Sequence, residues 1–274
     1  MEKEWEQMHE DMIRVEHLSK IFTTGFIGLG KRIVAVNDVS FNCKSGEVIG
    51  LIGESGSGKT TTARLILKLL APTSGEIYFR GKSIWTMPNR EYYRCVQGVF
   101  QDPYSSINPV YRVKHLFNNT SNLFREVPKN EASHRVKEVL ELVHLKPEEV
   151  LEKHIDELSG GELQRILLAN CLFVDPNVIL TDEPTSMIDA SMRVIVLNLI
   201  KELSEKHRKL IVFITHDISQ AFYICDRMIV MYQGLIVEQG SAEDVVLNPQ
   251  HPYTKRLISD VPKLKQKFKL SMED

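Results

Sequence analysis

Cysteine is scarce and scattered in this chain: Cys43, Cys95, Cys171 and Cys225 lie far apart and form no C-x-x-C pair. That spacing argues against a disulfide framework and against a zinc or iron–sulfur site, and it favours reduced thiols in a cytoplasmic setting. Long apolar runs are lacking too, since none approaches the ~20 residues a membrane helix needs. The first residues, MEKEWEQMHED, are acidic and polar and carry no signal-peptide pattern. A membrane role therefore has to come through partner chains. An excess of one charge is also missing: a net charge of -2 gives no argument for a nucleic-acid partner. What is left is 274 residues with 43% apolar and 26% charged content, enough for one large domain or a domain with a subdomain.

One stretch stands out, GEVIGLIGESGSGKTTTARLILKLL from Gly46 to Leu70. Val48 to Ile52 suits a buried strand, and Thr61 to Leu70 carries a helical pattern that Pro72 ends. Between them Gly53, Glu54, Ser55, Gly56, Ser57, Gly58, Lys59 and Thr60 spell G-x-x-x-x-G-K-[ST], with Thr61 next. Glycines let the backbone wrap phosphates with inward N–H groups, and the following helix turns its positive end to the same anion. Lys59 adds a mobile charge for the outer phosphates, and the Thr60 hydroxyl can bind Mg²⁺. A Gly-rich surface turn is the bland alternative, and the flanking strand and helix weigh against it. The loop marks a nucleoside triphosphate site.

In chain order, residues 1–11 read as a disordered lead, and Met12 starts a strand and is itself a candidate start of the chain. A Gly-rich bend at residues 21–32 joins it to a second strand, VAVNDVSFNCKSGE, which ends in a Ser-Gly turn. Phe22 closes the first strand, where an aromatic can stack on a base or simply pack. GEIYFRGKSI reads as a hairpin, and Gly98 to Gln101 as a short strand. Helical periodicity covers about Val113 to Leu172 and reads as an insertion in an α/β domain, taken as a helical subdomain over about 103–173. Strands resume at Val178 to Leu180 and Leu210 to Thr215, and MIVMYQGLIVEQG forms a hairpin turning at Gln233-Gly234. A mostly helical tail ends in a basic stretch at 263–274.

Two further motifs bear chemistry. Val178 to Glu183 is a buried-type strand ending in two acids, which puts Asp182 at the carboxyl edge of a sheet. There Asp182 can hold a Mg²⁺ shell while Glu183 polarises water for in-line attack on a γ-phosphate. A helix N-cap before Pro184 is the alternative. Leu158 to Arg165, LSGGELQR, places a hydroxyl and backbone N–H groups at a helix start. On residues alone a plain N-cap is the favoured reading, with a second anion site behind it.

The ordered set of Gly53–Thr60, Gln101, Leu158–Arg165, Asp182-Glu183, Asp189 and His216 resembles the ATP-binding subunit of ABC transporters from about Met12 to Val261. The resemblance implies an α/β fold: a P-loop NTPase core with a mixed sheet, an antiparallel β subdomain and the inserted helical subdomain, together spanning 12–262. It implies ATP with Mg²⁺, and a head-to-tail pair in which Ser159, Gly160 and Gly161, with Glu162 beside them, meet the γ-phosphate bound by the partner. By the same matching Gln101 touches the metal and couples nucleotide to membrane subunits, Asp189 lies at the dimer seam, and His216 holds γ-phosphate and attacking water. Phe22 matches the adenine-stacking aromatic. Two departures stand out: LSGGE where LSGGQ is commoner, and Ser186-Met187-Ile188 where Ser-Ala-Leu is usual before the acid. Neither removes a catalytic group.

The strings Gln101-Asp102-Pro103-Tyr104-Ser105-Ser106-Ile107-Asn108-Pro109 and Asn248-Pro249-Gln250-His251-Pro252-Tyr253-Thr254 resemble the importers of oligopeptides, dipeptides and nickel. The first lies where a permease coupling helix docks in that family. The second carries no assignable chemistry; its prolines set an extended approach to a helix, and His251 reads as structural rather than as a metal ligand. The implied assembly is this chain with a second ATPase subunit, identical or related. Two membrane permeases and an extracytoplasmic binding protein complete it, so that the chain lies on the cytoplasmic face of the membrane. A soluble ABC ATPase acting on nucleic acid or the ribosome is the alternative; such proteins usually carry two cassettes or a long coiled-coil insert, and neither is seen here.

Overall fold

The computed structural model describes residues 11–24, 31–100, 107–124, 129–186 and 188–259. Most of the acidic lead, the Gly-rich bend at 25–30, Gln101 with the rest of 101–106, Met187 and the basic tail lie outside the described residues. In chain order, β1 (Asp11–Thr24), β2 (Lys31–Lys44) and β3 (Val48–Ile52) lead to helix α1 (Lys59–Ile66), followed by β4 (Ser74–Phe79) and β5 (Lys82–Ser83). Next come α2 (Asn89–Cys95), β6 (Val96–Val99), α3 (Val113–Leu123), α4 (Lys129–Leu142) and α5 (Pro147–Val150). They are followed by α6 (Gly160–Phe173), β7 (Val178–Asp182) and α7 (Ala190–Glu205). The series ends with β8 (Leu210–Thr215), α8 (Ile218–Ile224), β9 (Arg227–Tyr232), β10 (Leu235–Ser241), α9 (Ala242–Leu247) and α10 (Pro252–Ser259).

The chain gathers into two compact units, Met1–Thr86 with Leu210–Asp274, and Met87–Lys209. In the first, β2-β1-β4-β5 form an antiparallel sheet and β10-β9-β3-β8 form a mixed one. β3 lies between β8 and β9 and runs parallel to both. Every residue of VIGLI and LIVFIT is buried, as strands covered on both faces require. β10 returns antiparallel to β9 through Gln233-Gly234, with φ 48° and 81°, the left-handed pair of a tight hairpin.

The second unit pairs β6 in parallel with β7 and carries α2 to α7. Phe117 of α3 and Phe173 of α6 meet edge to face at 6.1 Å, both fully buried. This unit is wider than the helical stretch at 103–173, because it also takes in β6, β7 and α7.

Several boundaries differ from the sequence pattern. β1 begins at Asp11, whose buried carboxylate accepts from Asn42 Nδ2 at 2.8 Å, so Asp11 belongs to the strand and not to the lead. α1 stops at Ile66 rather than Leu70, because Lys68 adopts φ 56° and the Leu69 and Leu70 N–H groups turn back to the Arg64 carbonyl. That is a left-handed helix end without the glycine that usually announces it. β6 lies at Val96–Val99, two residues before the expected strand, where burial of Val96 and Val99 sets its register.

Candidate functional site

The phosphate loop leaves β3 at Gly53 and enters α1 at Lys59. Two of its glycines are forced. A Cβ on Gly53 (φ 151°) would lie 2.2 Å from the Met231 carbonyl oxygen, and one on Gly58 (φ 107°) 2.4 Å from that of Ala35. Both obstacles are backbone, so no side chain fits at either place. Ser57 N–H donates to the Glu54 carbonyl at 3.2 Å, and the Ser57 carbonyl accepts from Gly234 N–H at 3.0 Å. The loop is thus closed on itself and pinned to the β9–β10 turn.

Lys59 is buried at 7% exposure, and its ammonium donates to the carbonyls of Gly53 at 2.6 Å and Glu54 at 2.8 Å. Ser57 Oγ lies 3.4 Å from the same nitrogen. A buried ammonium requires such partners. Gly58 stands at the N-cap of α1 and gives it no side-chain hydrogen bond. Thr60 and Thr61 stand half-buried in that turn, while Glu54, Ser55 and Gly56 are exposed. The Thr62 hydroxyl bonds the Gly58 carbonyl at 3.0 Å and locks the helix start.

His216 follows β8 as Gly53 follows β3, and the pairing of Ile52 with Thr215 brings the two to one sheet edge. His216 is exposed, and the next residue, Asp217, caps α8 by accepting from Ser219 N–H at 2.9 Å and Gln220 N–H at 3.3 Å. Phe22 pairs with Ile33 across β1–β2 and is half-buried, with the Lys20 ammonium 5.3 Å from its ring centroid.

In the second unit, β7 ends at the buried Asp182. Glu183 follows with φ 50°, a left-handed conformation that costs a non-glycine roughly 1–3 kcal/mol. Its carbonyl accepts from Ser186 N–H at 3.2 Å and Ser186 Oγ–H at 3.0 Å, which closes the turn. The acid pair is no N-cap. The cap of α7 is Asp189, whose carboxylate accepts at 3.0 Å from the N–H groups of both Ser191 and Met192. The Ser191 hydroxyl and these N–H groups outweigh desolvation and hold the Asp189 carboxyl below its usual range.

Ser159 caps α6, and the cap is a reciprocal box. Ser159 Oγ accepts from Glu162 N–H at 3.2 Å, and the Glu162 carboxylate accepts from Ser159 N–H and Oγ–H at 2.9 Å each. Lys153 adds an ion pair to Glu162 at 3.1 Å. The Ser159 N–H, opposed by burial and aided by Lys153, lowers the Glu162 carboxyl. Gly160 and Gly161 begin the helix, and Arg165 fastens it to the end of α4 through the His144 carbonyl at 2.8 Å. Gln101 lies outside the described residues.

Sequence reasoning missed Tyr253 and Arg256 as neighbours of the loop. The Tyr253 hydroxyl accepts from Glu54 N–H at 2.9 Å, and Arg256 Nη2 lies 2.9 Å from the Glu54 carboxylate. The string around His251 drew notice, but a contact with a partner 199 positions away leaves no local signal. Pro252 opens α10, and His251 Nδ1 accepts from Tyr253 N–H at 3.2 Å, a structural part for that histidine.

Residues 36–186 match the family described as ABC transporter, and residues 237–273 match the oligopeptide/dipeptide transporter C-terminal region. A putative peptide import ATP-binding protein of Brucella ovis is 41% identical over 230 residues, covering 83% of this chain and 72% of its own. An oligopeptide transport ATP-binding protein of Bacillus subtilis is 40% identical over 260 residues, with 93% and 84% covered. Among solved structures, a dimeric ATP-binding cassette in a post-hydrolysis state with ADP and Pi is 27% identical at a TM-score of 0.74. It covers 84% of this chain and 99% of its own. The cbiO1 subunit from Clostridium perfringens, part of an ABC transporter complex, is 26% identical at a TM-score of 0.76, with 97% and 100% covered. The phosphate loop, the mixed sheet that carries it and these matches agree, and the chain belongs to the ABC transporter family as one of its ATPase cassettes.

Proposed function

We propose that this chain is the ATP-hydrolysing subunit of a peptide importer, working in a pair of cassettes that closes on ATP and reopens after hydrolysis. The observation that carries the reading is the Gly53–Thr60 loop, with its buried Lys59 and a glycine at the helix N-cap, in a chain whose residues 237–273 match the transporter C-terminal region. ATP phosphates are held by Lys59 and by N–H groups of the Gly53–Thr61 stretch other than those of Glu54 and Ser57, which are given to Tyr253 and to the Glu54 carbonyl, with Phe22 against the adenine. Ser159, Gly160 and Gly161 serve the nucleotide of the partner cassette, with Glu162 shaping that loop and Asp189 at the seam. Glu183 is the base for the attacking water, and His216 orients the γ-phosphate.

The Thr60 hydroxyl and the buried Asp182 carboxylate are hard oxygen donors of the kind Mg²⁺ takes, and few protein ligands are needed when phosphates and water supply the rest. Those two residues, with Gln101, would hold the ion. Held there, the ion would supply positive charge against that of the phosphates. Among the described residues no helix is long and apolar enough to cross a membrane. The reading places the chain on the cytoplasmic face, docked to two permeases that receive peptide from an extracytoplasmic binding protein.

The test is reconstitution with the permeases in liposomes. Peptide-loaded binding protein should stimulate ATP hydrolysis and drive uptake of labelled peptide, and Glu183→Gln should abolish both. Hydrolysis indifferent to peptide, with no retention of permeases on purification, would sink the importer reading.

A further inference from the structure

The Gly53–Glu54 peptide group has both of its polar atoms engaged by groups of opposite function. Its carbonyl oxygen receives the Lys59 ammonium at 2.6 Å, and its N–H donates to the Tyr253 hydroxyl at 2.9 Å. A peptide group is planar, so fixing the direction of the N–H fixes the direction of the carbonyl. Tyr253 therefore sets the orientation of an oxygen that holds Lys59.

Tyr253 is itself held firmly. It is buried at 5% exposure, and its ring stacks on Tyr232 with centroids 4.2 Å apart and planes at 29°. Tyr232 ends β9 directly before the Gln233-Gly234 turn, and Gly234 N–H holds the Ser57 carbonyl. One aromatic pair thus braces the loop at its start and, through the hairpin, at its middle. Arg256, one helical turn after Tyr253, adds the ion pair to the Glu54 side chain, and its guanidinium lies 5.6 Å from the Tyr253 ring centroid. The base of α10 is tied in turn to β10, where the Glu238 carboxylate accepts from Gln250 N–H at 2.8 Å and His251 N–H at 3.0 Å. From within the loop, the Glu54 carbonyl is held by the Lys59 ammonium and Ser57 N–H, while Glu54, Ser55 and Gly56 are exposed and a Cβ on Gly56 would meet nothing within 4 Å.

We propose that Tyr253 is a positioning residue for the phosphate loop, seconded by Arg256, and that through it the C-terminal segment sets the affinity for nucleotide. The inference rests on the reading that Gly53–Thr60 holds ATP. Pre-organised N–H groups and a pre-oriented ammonium bind phosphate without first being ordered, and the tyrosine hydroxyl supplies that order.

The experiment compares Tyr253→Phe, Arg256→Gln and Lys59→Ala with wild type in the full-length chain. It uses calorimetric titration with Mg-ATP, thermal unfolding and amide hydrogen exchange. Phenylalanine keeps the ring against Tyr232 and removes only the hydroxyl. Tyr253→Phe should weaken Mg-ATP binding about three- to tenfold, the range of one hydrogen bond. The unfolding midpoint should fall by only a few degrees, the share of one hydrogen bond, and faster exchange should be confined to Gly53–Ser57. Arg256→Gln should give a smaller loss in the same direction, since an exposed ion pair contributes less. Wild-type affinity in Tyr253→Phe, with binding lost in Lys59→Ala, overturns the positioning role and leaves the loop reading intact. Affinity falling together with a midpoint loss well beyond that of one hydrogen bond, with exchange rising across the sheet, also overturns it, because Tyr253 would then be a packing residue only. Undiminished binding in Lys59→Ala removes the loop reading, and this inference with it.

Discussion

The ammonium of Lys59 and the carbonyl oxygen of Gly53 lie 2.6 Å apart, so the loop proposed to receive phosphate also solvates its own buried cation. A phosphate oxygen offers a full negative charge where the carbonyl offers a dipole, and charge-assisted bonds are roughly twice as strong. Lys59→Ala is expected to weaken ATP binding by about tenfold or more. Titration with ATP reads the loss, and an unchanged affinity would take the lysine out of the site.

Gly56 and Gly58 separate two costs that glycines can hide. At Gly56 (φ 80°) the surroundings are open, so Gly56→Ala should cost about 1–2 kcal/mol of stability from conformation alone. At Gly58 the Ala35 carbonyl adds a backbone clash, and Gly58→Ala should be clearly the more destabilising and should abolish nucleotide binding. Urea unfolding of the two variants checks the order; equal losses would mean that β2 yields to the new methyl group.

Glu183→Gln leaves the turn after β7 intact, because Ser186 bonds the Glu183 backbone carbonyl and not its carboxylate. Binding of ATP should persist while turnover falls about 10²- to 10⁴-fold, the usual contribution of a general base. Single-turnover hydrolysis is the measurement, and near wild-type rates would assign the base elsewhere.

The capping box of α6 predicts an acid dependence with a definite sign. The folded Glu162 carboxyl is lowered by the Ser159 N–H first and by Lys153 as well. A group lowered on folding stabilises fully above its unfolded value and loses that stabilisation as pH falls through the folded one. Glutamine serves the same box without ionising. The stability gap between wild type and Glu162→Gln should therefore be constant near neutrality and change below about pH 4.5, against wild type, as unfolding midpoints across pH would show. A gap that does not move with pH would refute the charged box. The box takes either residue, and the ion pair with Lys153 is what the carboxylate adds.

Local chemistry made much of this molecule legible. VIGLI, the glycine loop and the lysine that opens α1 are contiguous, and the Gln233-Gly234 turn announces itself between two apolar strands. The end of α1 was not legible, because Lys68 takes the left-handed position where a glycine is the usual sign. The Ser159 box was half legible, since its residue types suit a helix start and also allowed an anion site; the Asp189 cap was not read, because the resemblance gave that acid only a place at the dimer seam. The bracing of Glu54 by Tyr253 was beyond reach, since hydrogen bonds between distant segments follow from sheet order and not from periodicity.

The pinning of Ser57 by Gly234 has a consequence for synthesis. Gly234 follows Gly53 in the chain by about 180 residues, so at ~5–20 residues per second a ribosome needs about 10–35 s to make one after the other. β8 and β9, the two strands that flank β3, arrive in the same interval. The nascent loop thus spends its first seconds without the neighbours that shape it. If the loop holds ATP as proposed, capture of nucleotide is expected to follow completion of the sheet rather than synthesis of the loop.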